Sequence, residues 1–218
     1  MHRRRFLSGC GCGLAALLGM DVSAGKKRLF TRENKPFCGV KDDLNASLGI
    51  LHKAKWARRH LRYYIVGRDT EDLEADIWDA EFSLAFDSWS EITPLTFEQV
   101  DAGQQYDIII AVGKRKRDGF GKRGGTLAWA QLPTGSKYDG QLVTKFDLAE
   151  HWILPDSNEY GTVLRSVAAH EIGHLLGLNH SSDPDALMFP YINDALKPRD
   201  DDIKKIQKLY GQPQEEVK

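Results

Sequence analysis

The sequence predicts an α/β domain behind a short leader. Three observations point there. Five short runs rich in β-branched and aromatic residues are separated by turns and by stretches with helical periodicity. Over 218 residues, 41% apolar and 28% charged residues fit one globular domain with a real core. The stretch from His170 to Met188 places two histidines at i and i+4, with a glutamate between them and a third histidine beyond a glycine.

Residues 1–24 read as an export signal. Met1-His2-Arg3-Arg4-Arg5 is a basic start, residues 6–20 are apolar but too short for a comfortable membrane span, and Val22-Ser23-Ala24 supplies small residues before a cut at Gly25. Arg3-Arg4-Arg5-Phe6-Leu7 resembles a twin-arginine signal, which implies export of an already folded chain. Leu7-Ser8-Gly9-Cys10 looks like a lipoprotein box, but almost no apolar segment precedes it. The alternative is an N-terminal helix of the mature fold. The expected location is extracellular or periplasmic, with no transmembrane segment. Loss of residues 1–24 moves the formal charge from −1 to about −3, so nothing favours nucleic acid or an anionic membrane.

Residues 25–50 form a short propeptide and linker. Cys10 and Cys12 leave with the signal, so Cys38 stays alone and no intramolecular disulfide can form in the mature chain. A lone thiol in an exported protein calls for a reason. As a thiolate it would be a good zinc ligand, and over a zinc site it would displace the catalytic water. The alternative is an incidental thiol in a disordered leader. Cleavage near 45–50 would release it.

The catalytic domain is expected over residues 51–218. Residues 61–66 form the first strand. Thr70-Glu71-Asp72 opens a helix with acids in its first turn. Leu73, Ile77, Ala80 and Leu84 make one apolar stripe, and Trp78, Phe82, Ala85 and Trp89 a second, so the helix should be heavily buried until Pro94 ends it. Residues 95–100, 106–112, 126–132 and 141–147 are the following strands. The basic loop 114–123 reads as solvated rather than as an anion-binding patch.

Residues 162–176 carry the metal site. His170 and His174 project from one helix face and can share a zinc at roughly 2.0–2.1 Å. Gly177 can end the helix with positive φ and turn the chain so that His180 becomes a third ligand. The open fourth position suits a catalytic zinc, and Glu171 lies beside the metal, where a general base belongs. Hydrolysis by a zinc-activated water follows as the expected reaction. The competing reading is a zinc-bearing but non-catalytic peptide-binding module, which would have no use for Glu171.

His-Glu-x-x-His-x-x-Gly-x-x-His followed by Ala186-Leu187-Met188 is the metzincin signature. Pro36-Phe37-Cys38-Gly39-Val40-Lys41-Asp42 is similar to the cysteine switch of one metzincin branch, the matrixins. Phe37 stands where that family has an arginine, which removes an ion-pair partner. Ser181 after the third histidine matches the same branch. The resemblance covers roughly residues 36–211. It implies an α/β metzincin fold, a twisted mixed five-stranded sheet with three helices, the zinc site lying between the active-site helix and the Met-turn at Met188. It implies an exported zinc endopeptidase acting on protein or peptide substrates as a monomer. Leu127 and Ala128 then belong to an edge strand that pairs with substrate. Ser166 lines the primed-side pocket, and Pro190, Tyr191 and Ile192 form its outer wall. Asp201 and Asp202 open a closing helix and bond the new N-terminus and the Met-turn backbone, or serve only as helix N-terminal acids. No hemopexin-like domain is expected before the sequence stops at Lys218. The family's second, structural zinc has its histidine positions occupied here by Lys114 or Arg117, Trp129 and Lys145, so one zinc per chain is expected. Asp147 and Glu150 match two ligands of a calcium site; the alternative is two surface acids.

Overall fold

The computed structural model describes residues 36–40, 54–68, 70–113 and 118–213. The expected export signal at 1–24, the expected cleavage region at 45–50, and Lys114 and Arg117 lie outside the described residues, and the expected propeptide is described only at 36–40. Strand β1 (His60–Val66) leads to helix α1 (Ala75–Ser90), then β2 (Thr96–Gln99), β3 (Ile108–Gly113), the short β4 (Ala128–Ala130) and β5 (Leu142–Asp147). A two-residue pair, β6 (Trp152–Ile153) and β7 (Thr162–Val163), precedes helix α2 (Leu164–Leu175), and α3 (Asp200–Tyr210) closes the domain.

The sheet runs in the order β2-β1-β3-β5-β4. Its pairings are parallel except at the edge, where β4 lies antiparallel to β5 with Ala128 opposite Phe146 and Ala130 opposite Thr144. The mixed five-stranded sheet and three helices expected from the sequence are therefore present. Period-2 alternation puts Leu61, Tyr63 and Ile65 of β1 and Ile108 and Ile110 of β3 on the inner face. Trp78, Phe82, Phe86 and Trp89 of α1 pack onto that face, Trp78 meeting Phe146 and Trp152 edge-on at 6.1 and 6.0 Å. Each such fully buried side chain contributes roughly 1.5–3 kcal/mol. α2 packs beside α1, so the helix that carries His170 and His174 sits on the core.

Several expectations need correction. Helix α1 begins at Ala75, because the Thr70 hydroxyl bonds the backbone of Leu73 instead of opening a helical turn. It ends at Ser90, before Pro94, with the Thr93 hydroxyl donating to Trp89 O. Only one of its two stripes is buried. Leu84 is 45% exposed, while Glu81 and Ser88 are buried in its place. The reason is local: Arg165 on α2 holds Glu81 in a bidentate pair at 2.9 and 2.7 Å, so a carboxylate can occupy the interface. The edge strand is shorter than 126–132, and Thr162–Val163 pairs as strand before α2 begins.

Candidate metal centre and cleft

Helix α2 carries His170 and His174 one turn apart on a fully buried face. Its C-terminus follows the glycine rule. Gly177 has φ +99°, its N–H bonds His174 O at 2.9 Å, and Leu178 N–H bonds Gly173 O at 2.9 Å. The chain then reverses and brings His180 back. His170 Nε2 and His174 Nε2 lie 3.1 Å apart, and His174 Nε2 and His180 Nε2 3.2 Å apart.

Those separations decide the chemistry. Nδ1 of His170 bonds Leu187 O and Nδ1 of His174 bonds Leu178 O, each at 2.7 Å. A carbonyl only accepts, so each Nδ1 carries the proton and each Nε2 turns a lone pair to the centre. Burial holds His170 down at about 3 and His174 well below the usual histidine range, so both are neutral. Lone pairs gathered this closely repel unless a cation sits among them. Nitrogens at roughly 2.0–2.1 Å from a tetrahedral zinc lie about 3.3–3.4 Å apart, close to what is seen. Glu171 gives a second sign. Both its carboxylate oxygens are fully buried with no hydrogen bond of ordinary geometry. Burial pushes its carboxyl up to about 8, and the Cys38 thiol offsets part of that rise. A buried acid without conventional partners, beside three converging imidazoles, fits a site built for a metal and a water. Among the described residues, Cys38, His170, His174 and His180 form the group able to hold a metal, with ligand atoms within 4.8 Å of one another.

The fourth member comes from residues 36–40. Cys38 Sγ lies 3.4 Å from His174 Nε2. Main-chain pairing seats it. Phe37 N–H bonds Gly125 O at 3.1 Å, Leu127 N–H bonds Phe37 O at 3.1 Å, and Gly39 N–H bonds Ala128 O at 2.8 Å. On the other side Cys38 N–H bonds Pro190 O at 3.0 Å and Ile192 N–H bonds Pro36 O at 3.1 Å. The segment 36–40 thus runs parallel to the edge at Thr126 and antiparallel to the wall at Tyr191. Leu127, Ser166, Pro190, Tyr191 and Ile192 all line one cavity beside Glu171, and Ala128 supplies the edge carbonyl. Sequence reasoning missed Val167, Phe189 and Asn193 in that lining. For Asn193 the only signal was an amide after the wall; its side chain donates to Ala186 O at 2.7 Å.

The turn at Met188 lies under α2. A Cβ on Gly173 would stand 2.3 Å from Met188 Sδ, so glycine is the residue that lets the turn approach. Asp202 accepts from Leu187 N–H at 2.8 Å, Met188 N–H at 3.1 Å and Arg199 N–H at 2.9 Å. Asp201 accepts from the Ser181 hydroxyl and pairs with Lys205 at 2.7 Å. Asp147 and Glu150 are not surface acids: both are buried, Asp147 accepting from Ala149 N–H at 2.9 Å and Glu150 from Gly124 N–H at 2.6 Å. Lys145 pairs with Asp118 at 2.5 Å and lies over the Trp129 ring, whose indole N–H bonds Asp118 O at 3.0 Å.

A family model described as Matrixin matches residues 55–211. The chain belongs to the matrixin family. It is 37% identical to matrix metalloproteinase-16 of Rattus norvegicus over a 204-residue alignment that covers 82% of this chain and 32% of that protein. It is 38% identical to stromelysin-1 of Equus caballus over a 209-residue alignment that covers 90% of this chain and 41% of that protein. The matrixin chain here therefore spans about a third to two-fifths of the length of these relatives. No helix among the described residues is long and apolar enough to cross a membrane.

Proposed function

We propose that this matrixin is an exported zinc endopeptidase held latent by Cys38. The observation that carries the reading is the convergence of three imidazole Nε2 atoms at 3.1–3.2 Å, two of them with Nδ1 committed to carbonyls. His170, His174 and His180 would hold one zinc. Bound there, zinc supplies a Lewis acid for the scissile carbonyl and lowers the pKa of water to near 7.

The chain's own residues do the rest. A substrate strand takes the place of residues 36–40 between the edge at Leu127–Ala128 and the wall at Pro190–Ile192, using the same backbone donors and acceptors. Glu171 takes the proton of the attacking water and delivers it to the leaving amine. Its apolar surroundings keep its basicity high enough for that role. Ser166, small and buried, lines the cavity beside Glu171, and a small residue there favours a bulky apolar side chain after the scissile bond. Cys38, seated against His174, blocks both substrate and water until the leader is cut. The buried, hydrogen-bonded Asp147 and Glu150 support a calcium-strengthened turn, and the Lys145–Asp118 pair supports a domain with one zinc.

The test uses the full chain carrying Cys38→Ser, beside the same chain with Glu171→Ala added. Quenched peptide libraries should be cleaved by the first, and cleavage should drop by roughly 10²-fold or more in the second. Metal analysis should find one tightly bound zinc. Two zincs would refute the single-metal reading, and a zinc-loaded chain that cleaves nothing would refute the peptidase.

A further inference from the structure

An α-helix leaves its last four carbonyls without intrahelical donors. For α2 all four can be traced. The glycine turn satisfies two: Gly173 O accepts from Leu178 N–H and His174 O from Gly177 N–H, each at 2.9 Å. The other two belong to Leu175 and Leu176, and no local donor reaches them. Leu175 O accepts from the Trp56 indole N–H at 2.8 Å. Leu176 O accepts from the Tyr210 hydroxyl at 2.9 Å. The two donors are joined, because Trp56 backbone N–H donates to the Tyr210 oxygen at 3.1 Å. Burial raises the Tyr210 phenol far above its ordinary range, so it stays a donor at any working pH.

These contacts bracket the turn that separates the second histidine from the third. Leu178, whose carbonyl orients His174, follows Leu176 by two residues, and His180 by four. The cap comes from opposite ends of the domain: Trp56 from the entry segment before β1, Tyr210 from the last turn of α3. Further contacts tie that entry segment down. Lys55 Nζ donates to Leu209 O at 2.7 Å, Ala57 N–H donates to Tyr138 O at 2.8 Å, and Trp56 meets the Tyr138 ring edge-on at 5.0 Å. A Cβ on Gly177 would lie 2.2 Å from Ala54 O, so the entry segment presses directly on the turn.

We propose that Trp56 and Tyr210 are positioning residues for the metal site: together they complete the cap of α2 and hold the turn that delivers His180. The proposal rests on the zinc reading above. Neither residue touches the reacting atoms; they act through Leu175, Leu176 and the turn that follows. Removing either donor leaves a carbonyl unsatisfied at the helix end and loosens the third ligand, so zinc should leave faster.

The experiment uses the zinc-loaded full chain with Trp56→Phe, Tyr210→Phe and the double substitution. Trp78→Phe serves as a control, a buried core tryptophan whose indole bonds Thr70 and not a carbonyl at the end of α2. Zinc release into excess chelator is followed beside Tm, and the visible spectrum of the cobalt-substituted protein reports ligand geometry. Trp56→Phe and Tyr210→Phe should each speed release by about 10-fold, the low end of what loss of a ligand's own hydrogen-bond partner costs, and alter the cobalt spectrum. Trp78→Phe should lower Tm and leave release and spectrum unchanged. Release at the wild-type rate in both single variants overturns the proposal. So does faster release in Trp78→Phe in proportion to its loss of Tm. Should Trp56→Phe fail to fold, Tyr210→Phe, which deletes one hydroxyl from a half-buried side chain, decides alone. A wild-type chain that retains no zinc would sink the zinc reading and this proposal with it; a zinc-retaining wild type with indifferent variants sinks this proposal only.

Discussion

Two regions meet at the metal centre and are held in opposite ways. The floor, made of α2 and the turn at Met188, is fastened by side chains. Asp202 accepts three backbone N–H groups, the Trp89 indole bonds Ala169 O at 3.0 Å, and Met188 packs against Gly173. The segment 36–40 has little of this. It lies in the cleft through main-chain pairing with Gly125, Leu127, Ala128, Pro190 and Ile192, plus one thiol near His174. Phe37 stays 39% exposed and adds no charge. Side-chain clamps fix the ligands in place; backbone pairing with a cleft is what a substrate could offer equally well. Under the proposed function the first region stays and the second is replaced.

The sharpest way to break this contrast is Asp202→Ala. It strips the acceptor from three N–H groups, two of them in the buried turn, and should lower unfolding stability by about 3 kcal/mol or more. Urea unfolding of the full chain reads this, and Asp202→Asn should fall between the two. A loss near zero would mean that the turn is held by packing alone.

Gly39→Ala probes the other region. Its Cβ would meet Thr126 Cγ2 at 2.5 Å and Ala128 O at 3.2 Å, so residues 36–40 should leave the cleft. Stability should change by only about 0.5 kcal/mol, the scale of a surface substitution. Peptidase activity should nevertheless appear in the uncut chain. An uncut Gly39→Ala chain as silent as wild type would show that the segment is not what blocks the cleft.

The smallest effect concerns Asp201, on the rim of the floor. Burial alone would raise its carboxyl, but hydrogen bonds from Lys205 and Ser181 outweigh that and hold it below the usual range. A folded-state pKa lowered in this way stabilises the fold above about pH 4, the ordinary aspartate value, and the stabilisation is lost as pH falls through the lowered value. The Tm difference between wild type and Asp201→Asn should therefore shrink as the solution is acidified. A difference that grows on acidification would contradict the assignment.

The floor was largely legible before any coordinates. His170, His174, Gly177 and His180 are separated by intervals that only a helix and a glycine turn can serve, so their spacing encodes their geometry. Met188 and Asp202 were legible as members of a pattern, though not the contact of Met188 with Gly173. Helix α1 was misread for a physical reason. Leu73, Ile77, Ala80 and Leu84 have the right period for a buried stripe, but the interface beside them is taken by Glu81, and Glu81 is acceptable there only because Arg165 reaches it from α2. For Asp147 and Glu150 the choice between calcium ligands and two surface acids stayed open in the sequence, because local composition does not report burial; both are buried.

What the sequence determined by itself is local and periodic: the strand and helix types, the ligand spacing, the glycine that ends α2, and a thiol flanked by proline and glycine. Each depends on residues close together in the chain, whose relations the 3.6- and 2-residue periods transmit directly. Only the tertiary structure decided that Trp56 and Tyr210 finish the cap of α2, that Arg165 buries Glu81, and that Lys145 answers Asp118. Those pairs are 27 to 154 residues apart. Their partners are backbone carbonyls or long flexible side chains, which carry no signature until the chain has folded and the groups have to be satisfied.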